Sequence, residues 1–188
     1  MPPLDADMAS IVHNYMRAKG IDLRLRASVT GISASEGSLN VRLAESDPVS
    51  AELVILAVGV GPENHLAKEA GLALGMKGAI RTNSHMQTDD PDIYAVGDAV
   101  EVIHFVSGEH AVISLAGPAN KQGRVAADHI CGVPRHFKGS QGSSVLKLFD
   151  MTIASTGLNE KSIRAAGMDF DSVIIGSASH AAYYPEAA

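Results

Sequence analysis

Apolar positions change their period along this chain, and each change marks an element. Residues 5–19 carry Met8, Ile11, Val12, Tyr15 and Met16 on one helical stripe, with Gly20 following as a stop. That spacing predicts an amphipathic helix. IDLRLR (21–26) alternates apolar and polar residues, as a half-buried strand does. SVTGIS (28–33), the turn SEGS (35–38) and LNVRLA (39–44) predict two strands of a meander. AELVILAVG (51–59) is almost continuously apolar, the pattern of a central strand covered on both faces.

Further on, NHLAKEAG (64–71) predicts a short helix closed by Gly71. AIRTN (79–83) follows a glycine-rich loop, TDDPD (88–92) is a turn, and Ile93 to Val96 predict a strand. PANKQGRVAADHIC (118–131) predicts a helix, with Pro118 in the first position and Gly132 past the end. Its inward face would hold Val125, Ala126 and Ile130. FKGSQGSS (137–144) reads as a loop and a boundary. Strands are expected over 145–149, 151–156 and 170–176, and a capped helix over 159–167. The chain opens on a helix followed by strands, whereas a nucleotide-binding α/β unit begins with a strand and a glycine-rich turn. The expectation is therefore a chain that starts inside a domain.

Composition narrows the function classes. Of 188 residues, 46% are hydrophobic and 19% charged, which is globular composition. A net charge of −6 gives no electrostatic support to a nucleic-acid or anionic-membrane role. No apolar run approaches the roughly 20 residues of a membrane span. The start, MPPLDADMAS, lacks the basic and apolar regions of a signal peptide. A single cysteine, Cys131, excludes an internal disulfide framework and fits a reducing, cytoplasmic setting.

Three stretches carry candidate chemistry. AVGVGPEN (57–64) follows an apolar run and precedes a helix, but Asn64 stands where G-x-G-x-x-G requires its third glycine. Gly59 and Gly61 would allow a ligand close to backbone, or would simply make a tight connection. In YAVGDA (94–99), Gly97 permits close approach and Asp98 sits where open α/β sheets meet their ligands. Its carboxylate could accept hydrogen bonds from sugar or ribityl hydroxyls, or could cap a following turn. LAGPANKQGR (115–124) places a small-residue helix start after that loop, and its unpaired amides favour an electron-rich group. Gly123 inside this helix costs roughly 1 kcal/mol relative to alanine, which suggests a packing or ligand-approach reason.

Other residues carry less. Cys131 ends its helix at the negative end of the dipole, which disfavours thiolate, so a buried or inert thiol is expected. The eight histidines show no ligand spacing backed by cysteine or carboxylate, so no metal site is expected. SHAAYYPEA (179–187) brings His180, Tyr183 and Tyr184 together, either to meet a substrate or to pack an interface.

Taken in order, TDDPDIYAVGDAVE, SLAGPANKQGRVAADHICG, GSSVLKLFDMTIASTGLNEK and SHAAYYP resemble the FAD-dependent pyridine nucleotide-disulfide oxidoreductases. The branch resembled is that of coenzyme A-disulfide reductases and NADH oxidases or peroxidases. The resemblance implies an α/β fold in three parts. Residues 1–78 would be a partial NAD(P)H-binding domain, 79–142 the second segment of an FAD-binding domain, and 143–188 the start of an α+β dimerisation domain.

It also implies roles. Gly97 and Asp98 would contact FAD, with Asp98 accepting from the ribityl chain. Leu115, Ala116, Gly117 and Ala119 would direct the helix start at the flavin's pyrimidine edge. Val58, Gly59 and Gly61 would lie on the nicotinamide side of NAD(P)H. His180, Tyr183 and Tyr184 would approach the partner subunit's active site in a homodimer, although Glu186 stands where glycine often follows the proline in related sequences. Cys131 does not match the family's redox cysteine, and that cysteine and both glycine fingerprints are missing, so no catalytic residue is assigned. The implied activity passes hydride from NAD(P)H to flavin and then two electrons to a disulfide, persulfide, peroxide or oxygen. The alternative is a non-catalytic folding or dimerisation fragment that binds no cofactor. A third expectation is a chain that pairs with a separately encoded N-terminal half.

Overall fold

A computed structural model describes residues 3–177 and Tyr183. The first helix, α1 (Ala6–Ala18), ends where Gly20 takes φ 84°, as its glycine predicts. Its buried face is narrower than the predicted stripe. Ala9 and Val12 join Leu4 in a small core, and Met16 packs beside them, while Met8 and Ile11 are half exposed. The reason is the size of the partner. That core rests on Leu148, Met151 and Ile153 of one hairpin, β6 (Ser144–Leu148) and β7 (Met151–Ser155), which is too small to cover a whole helix face.

Polar bonds fasten the same contact. Asp5 accepts the amide of Glu160 at 2.9 Å, at the start of α4 (Glu160–Ala165). Asn159 caps that helix by accepting from the Ser162 amide at 2.9 Å. Lys19 Nζ stands 2.9 Å from Asp150 Oδ2. That hydrogen bond holds the Asp150 carboxyl below the usual carboxylate range and raises Lys19.

The meander forms as expected and gains a strand. β1 (Val29–Ser35) pairs antiparallel with β2 (Ser38–Leu43) through the turn at Glu36 and Gly37, and β2 pairs with β3 (Val49–Ala51). Helix α2 (His65–Glu69) closes at Gly71, with φ 75°.

Four predicted strands are corrected. Residues 21–26 form no strand, and Arg26 turns the chain with φ 60°. The run predicted as a covered central strand has regular pairing only to Ala51. Beyond it no residue from 53 to 62 makes a hydrogen bond among the described residues, and exposure reaches 92% at Val58. Residues 170–176 are likewise irregular, with Val173, Ile174 and Ile175 exposed. β-propensity makes such segments extended, but burial needs a neighbouring strand, and none among the described residues supplies one. Ile93 to Val96 make only a single bridge, Tyr94 to Gln87.

Helix α3 (Ala116–Ile130) is the longest element among the described residues. It starts two residues before Pro118, which is tolerated there because first-turn amides have no intrahelical acceptor. Val125 and Ala126 are buried against Met86, flanked by Tyr94 and Phe137. Ile130, expected inward, is exposed, and so is Cys131, because the helix end projects past this core. A Cβ on Gly123 would meet nothing within 4 Å, so close packing does not explain that glycine. β4 (Val102–Ile103) pairs antiparallel with β5 (His110–Ala111). No described helix is long and apolar enough to cross a membrane.

Candidate functional site

Two elements build the site: the turn after Tyr94 and the start of α3. Backbone bonds hold both flanks of the turn. Before it, the Ala95 amide donates to Met86 O at 3.0 Å; after it, Ile80 N donates to Ala99 O at 2.8 Å and Glu101 N to Ile80 O at 2.9 Å. Between these flanks Gly97–Ala99 form one 3₁₀ turn, with Gly97 at φ 89°. An L side chain is strained there, although a Cβ would meet nothing within 4 Å. The glycine thus answers a backbone requirement and leaves open space in front of it.

Asp98 is exposed and makes no hydrogen bond among the described residues. It does not cap its turn, so that structural explanation falls away. The buried acid of this region is Glu101, three residues later. Its carboxylate is 4% exposed and accepts from the Met76 amide, with His110 Nδ1 at 2.9 Å and Arg81 Nε at 3.7 Å. Glu101 therefore serves the internal fold, while Asp98 faces outward.

The start of α3 is open as well. Leu115 occupies the cap position and no side chain accepts from the first-turn amides among the described residues; Asn120 Nδ2 donates to the Ala116 carbonyl instead. Ala116 and Gly117 are exposed, a Cβ on Gly117 would meet nothing within 4 Å, and Ala119 is half-buried. Free amides at a helix start attract electron-rich groups.

One residue that the sequence reading passed over joins the two elements. Gln122 is 1% exposed and its Oε1 accepts the Gly97 amide at 2.6 Å. A signal was present, because Gln122 interrupts the apolar row Leu115, Ala119, Val125 and Ala126 on one helix face. The structure thus brings Gly97, Asp98 and the Leu115–Ala119 helix start together.

It does not bring in Val58, Gly59 and Gly61. Gly59 has φ 102° and nothing lies within 4 Å of a Cβ at Gly59 or Gly61. No hydrogen bond among the described residues ties this loop to Asp98 or α3. His180 and Tyr184 lie outside the described residues, and Tyr183 is exposed.

Histidines that sequence spacing kept apart come together at the other end of α3. The rings of His85 and His129 stack with centroids 4.1 Å apart, and His136 lies 4.2 Å from His85. Tyr94 Oη and His129 Nδ1 are 2.7 Å apart. These contacts brace the far end of α3 against the segment that leads into the Gly97 turn.

Comparison with known proteins gives a consistent result. Residues 1–123 match the family described as pyridine nucleotide-disulphide oxidoreductase. The chain is 36% identical over 181 residues to the NAD(P)H coenzyme A polysulfide/persulfide reductase of Pyrococcus horikoshii, covering 96% of this chain and 40% of that protein. The structure of reduced Bacillus anthracis CoADR-RHD superposes with a TM-score of 0.94 at 45% identity, over 100% of this chain and 33% of that one. An FAD-dependent pyridine nucleotide-disulphide oxidoreductase from Desulfovibrio vulgaris gives 0.82 at 30% identity, over 88% of this chain and 42% of that one. The chain therefore spans well under half the length of these relatives.

Proposed function

This chain belongs to the pyridine nucleotide-disulphide oxidoreductase family, and from that premise we propose that it forms part of an FAD-dependent NAD(P)H oxidoreductase. The observation that carries this reading is the pairing of an outward, unbonded Asp98 with an uncapped α3 start, joined through Gln122. These residues fit a flavin cofactor. Gly97 leaves room for close approach, and Asp98 has free acceptor oxygens for ribityl hydroxyls. The Ala116 and Gly117 amides offer donors and a positive dipole end to an electron-rich ring edge.

FAD, when bound, supplies the capacity to accept hydride from NAD(P)H and to pass two electrons to an acceptor. The protein's share is binding and orientation. Asp98 fixes the sugar-alcohol chain, and the helix start stabilises negative charge at the ring. Val58, Gly59 and Gly61 belong to the nicotinamide side of NAD(P)H, in a loop that no hydrogen bond among the described residues ties to Asp98 or α3. The acceptor is a disulfide, persulfide, peroxide or oxygen, and the Pyrococcus relative's name favours a coenzyme A-linked persulfide. Residues 1–78, 79–142 and 143–188 act as the NAD(P)H, FAD and dimerisation portions of a cytoplasmic homodimer, with His180, Tyr183 and Tyr184 at the subunit boundary.

The test is retention of flavin. The chain is incubated with FAD, desalted, and its visible spectrum recorded; retained flavin that NADH bleaches is the expected result. Asp98→Asn should weaken FAD binding about tenfold, the value of one charged acceptor, while the unfolding midpoint stays unchanged. A second reading, a non-catalytic folding or dimerisation fragment, is favoured by the exposed apolar run at 53–60. A colourless protein that sediments as a dimer would select it.

A further inference from the structure

The turn that presents Asp98 has little holding it from within. Its own closing bond, Val100 N to Gly97 O, is 3.5 Å long, at the outer limit of a hydrogen bond. The flanking bonds reach only to Ala95 on one side and Ala99 on the other. Between them, the short contact among the described residues is the Gly97 amide on Gln122 Oε1, at 2.6 Å. The oxygen's identity follows from the partner, since a backbone N–H can only donate.

Gln122 suits this task by its position. It follows Leu115 and Ala119 at helical spacing, on the face that also carries the open helix start. It is 1% exposed, so its side chain is confined by packing. The Nε2 group makes no hydrogen bond among the described residues, so the bond to Gly97 is what gives this buried amide a partner. A tether at this point sets two things together: the positive φ of Gly97, and the distance between the Asp98 backbone and the free amides of Ala116 and Gly117.

We propose that Gln122 is a positioning residue for the cofactor: through the Gly97 amide it fixes where the Asp98 carboxylate stands relative to the open start of α3. The inference rests on the flavin reading above, and it adds a residue that touches the turn instead of the ligand. It has a specific consequence. Gln122 acts through Asp98, so the two substitutions are not additive.

The experiment uses the full chain with FAD as the probe, and the variants Gln122→Met, Gln122→Glu, Asp98→Asn and the Gln122→Met/Asp98→Asn pair. Amide exchange by NMR is read at Gly97, with Ala95 and Glu101 as reference amides whose acceptors are untouched. Gln122→Met should speed Gly97 exchange about tenfold or more and leave both references alone. It should weaken FAD binding about tenfold, and add nothing once Asp98 is asparagine. Gln122→Glu keeps an acceptor oxygen and should restore both readouts in part. Fast Gly97 exchange with unchanged FAD affinity would overturn the positioning role and leave a purely structural tether. Additive losses in the pair would overturn action through Asp98. A wild-type chain that binds no FAD would overturn the flavin reading itself and the cofactor role of Gln122 with it, which the exchange result alone could not do.

Discussion

Two regions of this chain end an apolar run in a glycine of positive φ, and they have opposite fates. Gly97, at 89°, follows Tyr94-Ala95-Val96 and lies in a turn bonded on both flanks and tethered to α3. Gly59, at 102°, follows Leu53 to Val58 and lies in a segment without a hydrogen bond among the described residues. Local grammar is the same in both. The difference is that α3 supplies the first with a neighbour, and nothing described supplies the second. A glycine fixes the shape of a turn, but a partner element decides whether that shape has a place.

Core deletion should separate the regions most. Met86→Ala removes a fully buried side chain beside Val125 and Ala126, and should cost about 2–4 kcal/mol in urea unfolding. Leu56→Ala, in the exposed run, should change stability by less than about 0.5 kcal/mol. Equal losses would show that the 53–60 run is packed in solution, and would erase the contrast.

The two glycine turns give a smaller effect. Gly97→Ala forces an L side chain to positive φ in a tethered turn, and should cost about 1–2 kcal/mol without any clash. Gly59→Ala meets the same penalty in a segment free to relax, so its cost should be close to zero. Comparable unfolding midpoints for the two variants would mean that the Gly97 turn relaxes too.

The smallest effect belongs to Lys19 and Asp150, which are part of neither region, and serves as a control. Asp150 has its pKa lowered by the Lys19 hydrogen bond, so its contribution is present above the ordinary value of 3.8 and fades as pH falls through the lowered one. Lys19 is raised, so its contribution is present below 10.5 and fades as pH rises through the raised value. Asp150→Asn should therefore lower the unfolding midpoint slightly across the neutral range, and the difference should vanish in strong acid. A difference that persists there would mean that the pair's effect is not electrostatic.

Legibility followed the same division. Helices α1 and α3, the β1–β2 turn and the β6–β7 hairpin were readable because their signals lie within a few residues. The strands expected at 21–26, 51–59, 93–96 and 170–176 are not formed as such, because propensity reports extended backbone and a strand also needs a second chain segment to bond. At the site, Gly97, Asp98 and the Leu115–Ala119 start were legible from turn and helix-start chemistry. Gln122 was not, since a glutamine in an apolar helical row does not announce which amide it will meet.

The sequence alone determined which stretches are helical, where the helices and the β1–β2 hairpin end in a turn, and that an acid follows a glycine just before a small-residue helix start. Tertiary structure decided that Glu101 is the buried acid and Asp98 the outward one, that α1 closes on a hairpin from the opposite end of the chain, and that Gln122 ties the turn to the helix. The physical reason is range. Periodicity and φ preference belong to adjacent residues, whereas burial and hydrogen-bond partnership belong to pairs that the chain brings together from 25 residues apart, as with Gly97 and Gln122, or from 155, as with Asp5 and Glu160.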